Sequence, residues 1–446
     1  MIELNYPNQV NSVKDILQRL IQFDTTNPPG NELECMNYIN ELLTHAGFSC
    51  EILSVSPDRP NLITRLKGNG TSPPFLFYGH ADVVTTKPDL WCFPPFSGVI
   101  EDHCVWGRGA LDMKGGLAMM IHALLRAKHE KLIPSGDIIL AVLCDEEMGS
   151  RYGAKFLVEN HPDRFKDIRY AIGEFGGFSF YSEGQLLYAI QVQEKQFCWL
   201  RGRIKGLGGH GSLPVRDGVI SKLTQFLDKV NKQRFQAHIT PAFQEMINGI
   251  LPILSIPKRI LCQQLLNPLF SDIILMLMGE QGKKFYPLIH HTMNVTLIQG
   301  GQSINVIPEE IVVDLDVRLL PGFTPDDMMK EFKSYIGPEI ELEVVLFDPG
   351  PKTFNMELFP FLSRIIQSTD PKAHCIPILL PGVTDSRFFA QLGIQTYGFT
   401  PMKLPPGFEF SQYIHAINER IPLDALEFGA NAIFECVKRY GNEGYC

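Results

Sequence analysis

Phe75-Leu-Phe-Tyr-Gly-His80-Ala-Asp82-Val-Val84 is the stretch that decides the fold. Four apolar or aromatic residues run into Gly79, the pattern of a buried parallel strand that stops at a turn. An imidazole and a carboxylate, His80 and Asp82, follow at once. In an open α/β sheet, ligands collect at the carboxyl ends of the strands. A His there can ligate a metal, and an Asp two residues on can hold its ring in one tautomer. A single His-x-Asp pair is more often structural. Its weight comes from four later stretches that repeat the arrangement, each ending in a carboxylate or a His.

Outward from that strand the pattern is an α/β alternation. Before it, helical spacing covers 13–23 and 32–46, with Asn31 as cap of the second helix, and 49–55 and 61–66 read as strands. After it, Gly-Arg-Gly-Ala-Leu-Asp112-Met-Lys-Gly leads into a helix expected over 117–128, where Asp112 can be an N-cap or a ligand. An apolar strand over 137–143 ends in Asp145-Glu146-Glu147, three acids that repel one another unless a cation sits between them. Tyr170-Ala-Ile-Gly-Glu174 repeats the arrangement with one carboxylate.

Near residue 189 the character changes. A long alternating segment reaches Gly-Gly-His210-Gly-Ser, and a helix over 219–233 follows. Next come an apolar tract over 247–278, strands over 293–298 and 310–319, a helix over 325–335 and a strand over 339–347. Without the apolar tract this is β-α-β-β-α-β, a ferredoxin-like unit. Past Asp348-Pro-Gly-Pro351 the α/β pattern resumes, through Pro381-Gly382-Val-Thr-Asp-Ser-Arg387 and His415 to a final helix. The expected organisation is a catalytic α/β domain of residues 1–189 and 350–446, with residues 190–349 inserted as a second domain. Two domains also suit 446 residues.

Hydrophobic content of 45% and charged content of 20% are those of a globular protein, and a formal charge of −9 argues against a nucleic-acid or anionic-membrane surface. The Met1-Ile-Glu-Leu-Asn start has no basic, apolar leader, and ten cysteines include no CxxC pair, so a reducing, cytoplasmic location is expected. Prolines and charges, among them Pro252, Pro257, Lys258, Arg259, Pro268 and Asp272, break the apolar tract below the ~18–20 residues that cross a bilayer.

The strand-end residues make one constellation: His80, Asp112, Glu146, Glu147, Glu174 and His415. Two imidazoles with several carboxylates suit a divalent ion, zinc above all. Five ligands exceed what one catalytic zinc takes. If one Asp bridges, they make two sites of three ligands with metals ~3.5–4 Å apart. As neighbours, Glu146 and Glu147 point apart, so one binds metal and the other is free as a general base.

These motifs, with Asn305-Val-Ile-Pro and His415-x-x-Asn-Glu, occur over nearly the whole chain in an order that resembles the di-zinc aminoacylase, carboxypeptidase and deacylase family. That family includes acetylornithine deacetylase and succinyl-diaminopimelate desuccinylase. The resemblance implies a zinc-exopeptidase-like three-layer α/β/α catalytic domain with an inserted ferredoxin-like lid and dimerisation domain. It implies two Zn2+ per chain, with Co2+ or Mn2+ as substitutes: His80, Asp112 and Glu174 at one, Asp112, Glu147 and His415 at the other. By the same resemblance Asp82 orients His80, and Glu146 is the base for a zinc-bridging water. His210 supplies an oxyanion donor, often across a dimer interface. Arg318, with Asn305 and the backbone at Gly382, receives a substrate carboxylate. Gly173-Glu174-Phe175 departs from the family's frequent Asp-Glu-Gly or Glu-Pro.

The implied activity is hydrolysis of an amide next to a free carboxylate, in an N-acyl amino acid or a peptide cut from its C-terminus. A dipeptidase would share every metal residue. A non-catalytic binding protein would be expected to lose the base, whereas Glu146 and all five ligands are present. The apolar tract, with Ile250, Leu251, Ile253, Leu254, Ile260, Leu261, Leu265, Leu266, Ile273, Ile274, Leu275 and Leu277, is richer than a small lid requires. It is expected to line an acyl pocket, to cover a partner surface or to thicken the lid's own core.

Overall fold

The computed structural model describes residues 12–232, 234–336, 340–351 and 354–442. Phe75–His80 is a fully buried strand with parallel neighbours on both sides, Ile138–Leu143 and Tyr170–Gly173. Burial on both faces is what its unbroken apolar run demands. The strand does not stop at Gly79 but runs through it to His80. The glycine serves packing, since a Cβ there would lie 2.4 Å from Cε of Met113.

The sheet has nine strands. In lateral order they are Cys50–Ser54, Pro60–Leu66, Ile138–Leu143, Phe75–His80, Tyr170–Gly173, Gln395–Gly398, Gln185–Glu194 and His374–Leu380, with Ser179–Ser182 paired to Gln185–Glu194. The helices Val13–Ile21, Lys114–His129 and Leu423–Arg439 pack together in one layer. Towards the other face, Leu76 and Tyr78 join Leu157, Phe165, Phe388 and Phe389 in one cluster. The result is the expected three-layer α/β/α arrangement. The end of the chain closes over the start of the central strand, with Tyr440 stacked on Phe75 at 4.4 Å between centroids.

The chain divides into two compact units. One holds the described residues of Met1–Val192, Asn355–Ile378 and Thr384–Cys446; the other is Gln193–Phe354 with Leu379–Val383. The second unit has a four-stranded antiparallel sheet in the order Thr292–Gly300, Glu310–Leu319, Gln196–Lys205, Ile340–Asp348. The helices Val219–Lys232 and Pro325–Ile336 complete a ferredoxin-like β-α-β-β-α-β. Between Val219–Lys232 and Thr292–Gly300 stand four helices, Pro241–Ile250, Ile256–Gln263, Ser271–Leu277 and Glu280–Ile289. The apolar residues of this stretch divide: Leu265, Ile274 and Leu275 are buried, while Ile260, Ile273 and Leu277 are exposed. Among the described residues no helix is long and apolar enough to cross a membrane. The described cysteines are all free thiols.

Candidate metal centre

The central strand delivers His80, buried, at its last position. Its Nδ1 lies 3.0 Å from the carbonyl oxygen of Asp82. A carbonyl only accepts, so Nδ1 carries a proton and Nε2 is the nitrogen turned to the acids. Nε2 lies 3.2 Å from Oδ1 of Asp112 and 3.3 Å from Oε2 of Glu174. The carboxylate of Asp82, expected to hold the ring, is 3.5 Å from Nδ1 and does other work. It accepts the backbone N–H of Glu146 and of Glu147, each at 3.1 Å, and the side-chain amide of Asn27 at 2.8 Å. Asp82 thus orients His80 through its carbonyl and fixes the turn of the two glutamates through its carboxylate.

Asp112 is not an N-cap: the helix it precedes, Lys114–His129, has Met113 at that position. Its second oxygen, Oδ2, lies 3.0 Å from Nε2 of His415, which is 3.3 Å from Oε1 of Glu147. Two groups result, His80–Asp112–Glu174 and Asp112–Glu147–His415, each with its ligand atoms within 4.8 Å of one another. Asp112 gives one oxygen to each. Glu146 belongs to neither among the described residues, although its backbone shares the anchor that positions Glu147. The turn is made by Asp145 in the left-handed region (φ 68°), held by Asn27, by Arg59 and by the N–H of Tyr152. His415 is also left-handed, at φ 56°.

The electrostatics fit divalent cations. Burial opposes charge on His80, but Glu174, Asp112 and Asp82 outweigh it and hold its pKa well above the usual range. Burial pushes Glu174 up to about 8 despite the neighbouring His80. Burial also raises Glu147, and burial plus the charge of Glu174 lifts Glu146 well above the ordinary carboxylate range. Hydrogen bonds to Asp112 and Glu147 push His415 up to about 10. His80, His415 and the three glutamates are all shifted towards holding a proton, as expected where acids crowd in low dielectric, whereas burial of Asp112 is outweighed by hydrogen bonds from His415 and His80 that hold it below the usual carboxylate range. Oε1 of Glu147 is buried and meets Nε2 of His415 at 3.3 Å. Lone pairs of two imidazoles and three carboxylates converging on two points form a donor set suited to two metal ions.

Sequence reading gave no role to a second ring of residues. Glu419, fully buried, accepts from Nη1 of Arg108 at 2.5 Å and from the N–H groups of Gly109, Leu111 and Asp112 at 3.1, 2.8 and 3.1 Å. Arg108 also donates through Nη2 to the carbonyl of His415 at 3.2 Å. One carboxylate therefore ties the Asp112 loop to the His415 loop. Its signal was the Glu of His415-x-x-Asn-Glu. Arg59 bridges Glu32 and Asp145, and Ser150 donates to buried Asp385.

The remaining expected residues lie in the second unit. The exposed His210 receives the N–H of Ser212 on Nδ1 at 3.2 Å, which leaves its proton on Nε2. Its neighbour in the two-stranded ladder is Val306, and Asn305 accepts the N–H of Gly211 at 2.8 Å through its carbonyl. Arg318 does not present an open fork: its Nε and Nη2 hold Asp316 at 2.7 and 2.9 Å. At Gly382 nothing requires a glycine, since a Cβ would meet only Leu380 at 3.8 Å.

The model of peptidase family M20/M25/M40 matches residues 76–439. Human N-fatty-acyl-amino acid synthase/hydrolase PM20D1 is 28% identical over 380 residues, covering 82% of this chain and 74% of its own. The M20 family metallo-carboxypeptidase Sso-CP2 from Sulfolobus solfataricus superposes with a TM-score of 0.69 at 18% identity, over 96% of this chain and 99% of its own. The YXEP protein of Bacillus subtilis, a dinuclear metal-binding M20 peptidase, gives a TM-score of 0.56 at 14% identity over 96% and 98%.

Proposed function

Because the chain belongs to peptidase family M20/M25/M40, we propose that it hydrolyses N-acyl amino acids, cleaving the amide beside the free carboxylate at a two-metal centre. The observation that carries this reading is the division of Asp112, with one oxygen towards His80 and the other towards His415. Two zinc ions, or cobalt or manganese in their place, would be held by His80, Asp112 and Glu174 and by Asp112, Glu147 and His415, and would supply Lewis-acid charge and lower the pKa of water towards ~7.

The chain's own groups manage protons and charge. Glu146, outside both ligand groups and with its pKa raised by burial, takes the proton of the attacking water and passes it to the leaving nitrogen. His210, whose Nδ1 is engaged, offers Nε2–H as a neutral donor to the developing oxyanion. The second unit would serve as the lid that brings it there. Arg318 would take the substrate carboxylate by exchanging it for Asp316, an exchange between two like forks. The human relative's name, with its fatty-acyl substrate, supports a long acyl group here.

The test is a panel of N-acyl amino acids from acetyl to oleoyl, with dipeptides and C-terminal peptide substrates, run on chelated and metal-reconstituted protein. Turnover should need metal, reach its maximum at two ions per chain and favour acyl amino acids. Full activity at one ion per chain, or turnover of dipeptides alone, would overturn the proposal.

A further inference from the structure

The helix Ser271–Leu277 is apolar on two opposite sides. It buries Ile274 and Leu275, yet Ile273, Met276 and Leu277 face outward, joined by Leu269 and Phe270 of the preceding turn. At about 100° per residue, Ile273, Met276 and Leu277 fall in one arc of roughly 100° that excludes Ile274 and Leu275, and the turn residues Leu269 and Phe270 are exposed beside it. Their exposure runs from 48% at Phe270 to 83% at Leu269. The turn is pinned in that pose: Leu269 N–H donates to Oδ1 of Asn267 at 3.1 Å, and the N–H groups of Phe270 and Ser271 to its carbonyl at 3.0 and 2.9 Å. On the helix Ile256–Gln263, Ile256 and Ile260 repeat the pattern, both exposed at i, i+4 spacing. An apolar arc left exposed on a helix whose other side is already core marks an interaction face.

Charge identifies the occupant. The chain carries −9, yet residues 251–290 hold Lys258, Arg259, Lys283 and Lys284 against Asp272 and Glu280 alone. All four cations are exposed, Lys283 being paired with Glu280 at 2.6 Å and Arg259 donating to the carbonyls of Leu251, Pro252 and Leu254, while the exposed Asp272 lies 2.9 Å from Nε2 of the buried His290. A second copy docked by the same face would set these cations against their own counterparts. An outward apolar stripe flanked by Lys and Arg is the make-up of a segment that lies in a membrane interface. We propose that this helical insertion docks the protein on an anionic lipid surface, with Leu269, Phe270, Ile273, Met276 and Leu277 entering the headgroup–acyl boundary and Lys258 and Lys284 meeting the lipid headgroups. The overall negative charge, which argues against such a surface for the molecule as a whole, is reversed at this one place.

The full chain should be sedimented with vesicles of phosphatidylcholine, alone or mixed with phosphatidylserine, at low and high salt. Two variants accompany it: Ile273→Asp/Met276→Asp, and Lys258→Glu/Lys284→Glu, which leaves apolar packing untouched. Both should keep wild-type turnover of a short-chain substrate, which reports an intact fold. The wild type should pellet with the anionic vesicles in a salt-sensitive manner, and either variant should lose roughly tenfold or more of that partition. A wild type that stays in solution with both vesicles, or binds neutral and anionic ones equally, overturns the proposal. So does a vesicle-indifferent wild type that is dimeric by light scattering and monomeric as the Ile273→Asp/Met276→Asp variant, which would assign the face to a second copy.

Discussion

Glu419→Gln replaces one oxygen of a carboxylate that holds two loops together. The retained oxygen can still accept from Leu111 and Asp112, but the new –NH2 must face Nη1 of Arg108 and the N–H of Gly109, three donors with no acceptor between them. Arg108 is buried, and removing one partner of a buried ion pair costs about 3–5 kcal/mol. Each buried donor left without a partner adds about 1–3 kcal/mol, partly offset if Arg108 tightens on the carbonyl of His415. The expected loss is therefore about 4 kcal/mol for the α/β unit. Urea unfolding of the metal-free protein, followed by tryptophan fluorescence, reads it, because Trp91 and Trp106 share that unit with Glu419. As the same carboxylate positions Asp112 and, through Arg108, His415, metal affinity should fall by about 10–100-fold. A variant within about 0.5 kcal/mol of wild type would refute the reasoning, as would an unchanged metal affinity in a destabilised protein.

Glu146→Ala should keep both metals and substrate binding while losing turnover by about three orders of magnitude or more, read by metal analysis beside kinetics; loss of metal would exchange the roles of Glu146 and Glu147. His210→Ala should lower kcat more than it raises KM, because the contact strengthens as charge develops on the oxyanion; if it acts across a dimer, mixing it with Glu146→Ala should restore part of the activity, and equal effects on both constants would remove the oxyanion role. Lys195 is buried against the carbonyl of His290 and Oγ1 of Thr292, and burial, helped by Arg318, brings its pKa down to about 7. The unfolded chain then binds the extra proton between pH ~7 and ~10.4, so stability of the second unit should rise with pH across that window and be lowest below it. Lys195→Met should flatten that rise in thermal melts, and a parallel pH profile for variant and wild type would show that Lys195 stays charged when folded.

The cluster was legible because its residues stand where apolar strands end: His80 after Phe75–Gly79, the Asp145–Glu147 acids after Ile138–Leu143, Glu174 after Tyr170–Gly173. A polar group there is conspicuous against what precedes it. Asp112 was ambiguous, since a carboxylate before a helix caps as readily as it ligates; in the structure Met113 takes the cap position and the two oxygens of Asp112 reach His80 and His415. The motif His415-x-x-Asn-Glu marks Glu419 but not its role, because its partner Arg108 is 311 residues away in sequence. The sequence places a helix cap at Asn31, whereas the position falls to Glu32, whose carboxylate is engaged by Arg59. Arg318 fails as an open fork for a local reason, Asp316 two places earlier on the same face of its strand. In the apolar tract composition was plain, but which residues turn inward depends on how four short helices pack. Leu275, a natural choice for probing an outer face, proves to be core.

The sharing of Asp112 between a histidine at position 80 and one at position 415 also bears on synthesis. The chain emerges from its N-terminus, so His80, Glu147 and Glu174 are made long before His415 and Glu419. At about 5–20 residues per second, more than ten seconds separate Glu174 from Glu419. In that interval the nascent α/β layer has its acids but lacks their distal imidazole, the clamp on Arg108 and the closing helix Leu423–Arg439. Between the halves the ribosome makes Gln193–Phe354, the main part of the second unit. A message ending before codon 415 would therefore encode an unfinished layer with a surplus of buried negative charge, a natural substrate for chaperone or protease, and not a half-active enzyme.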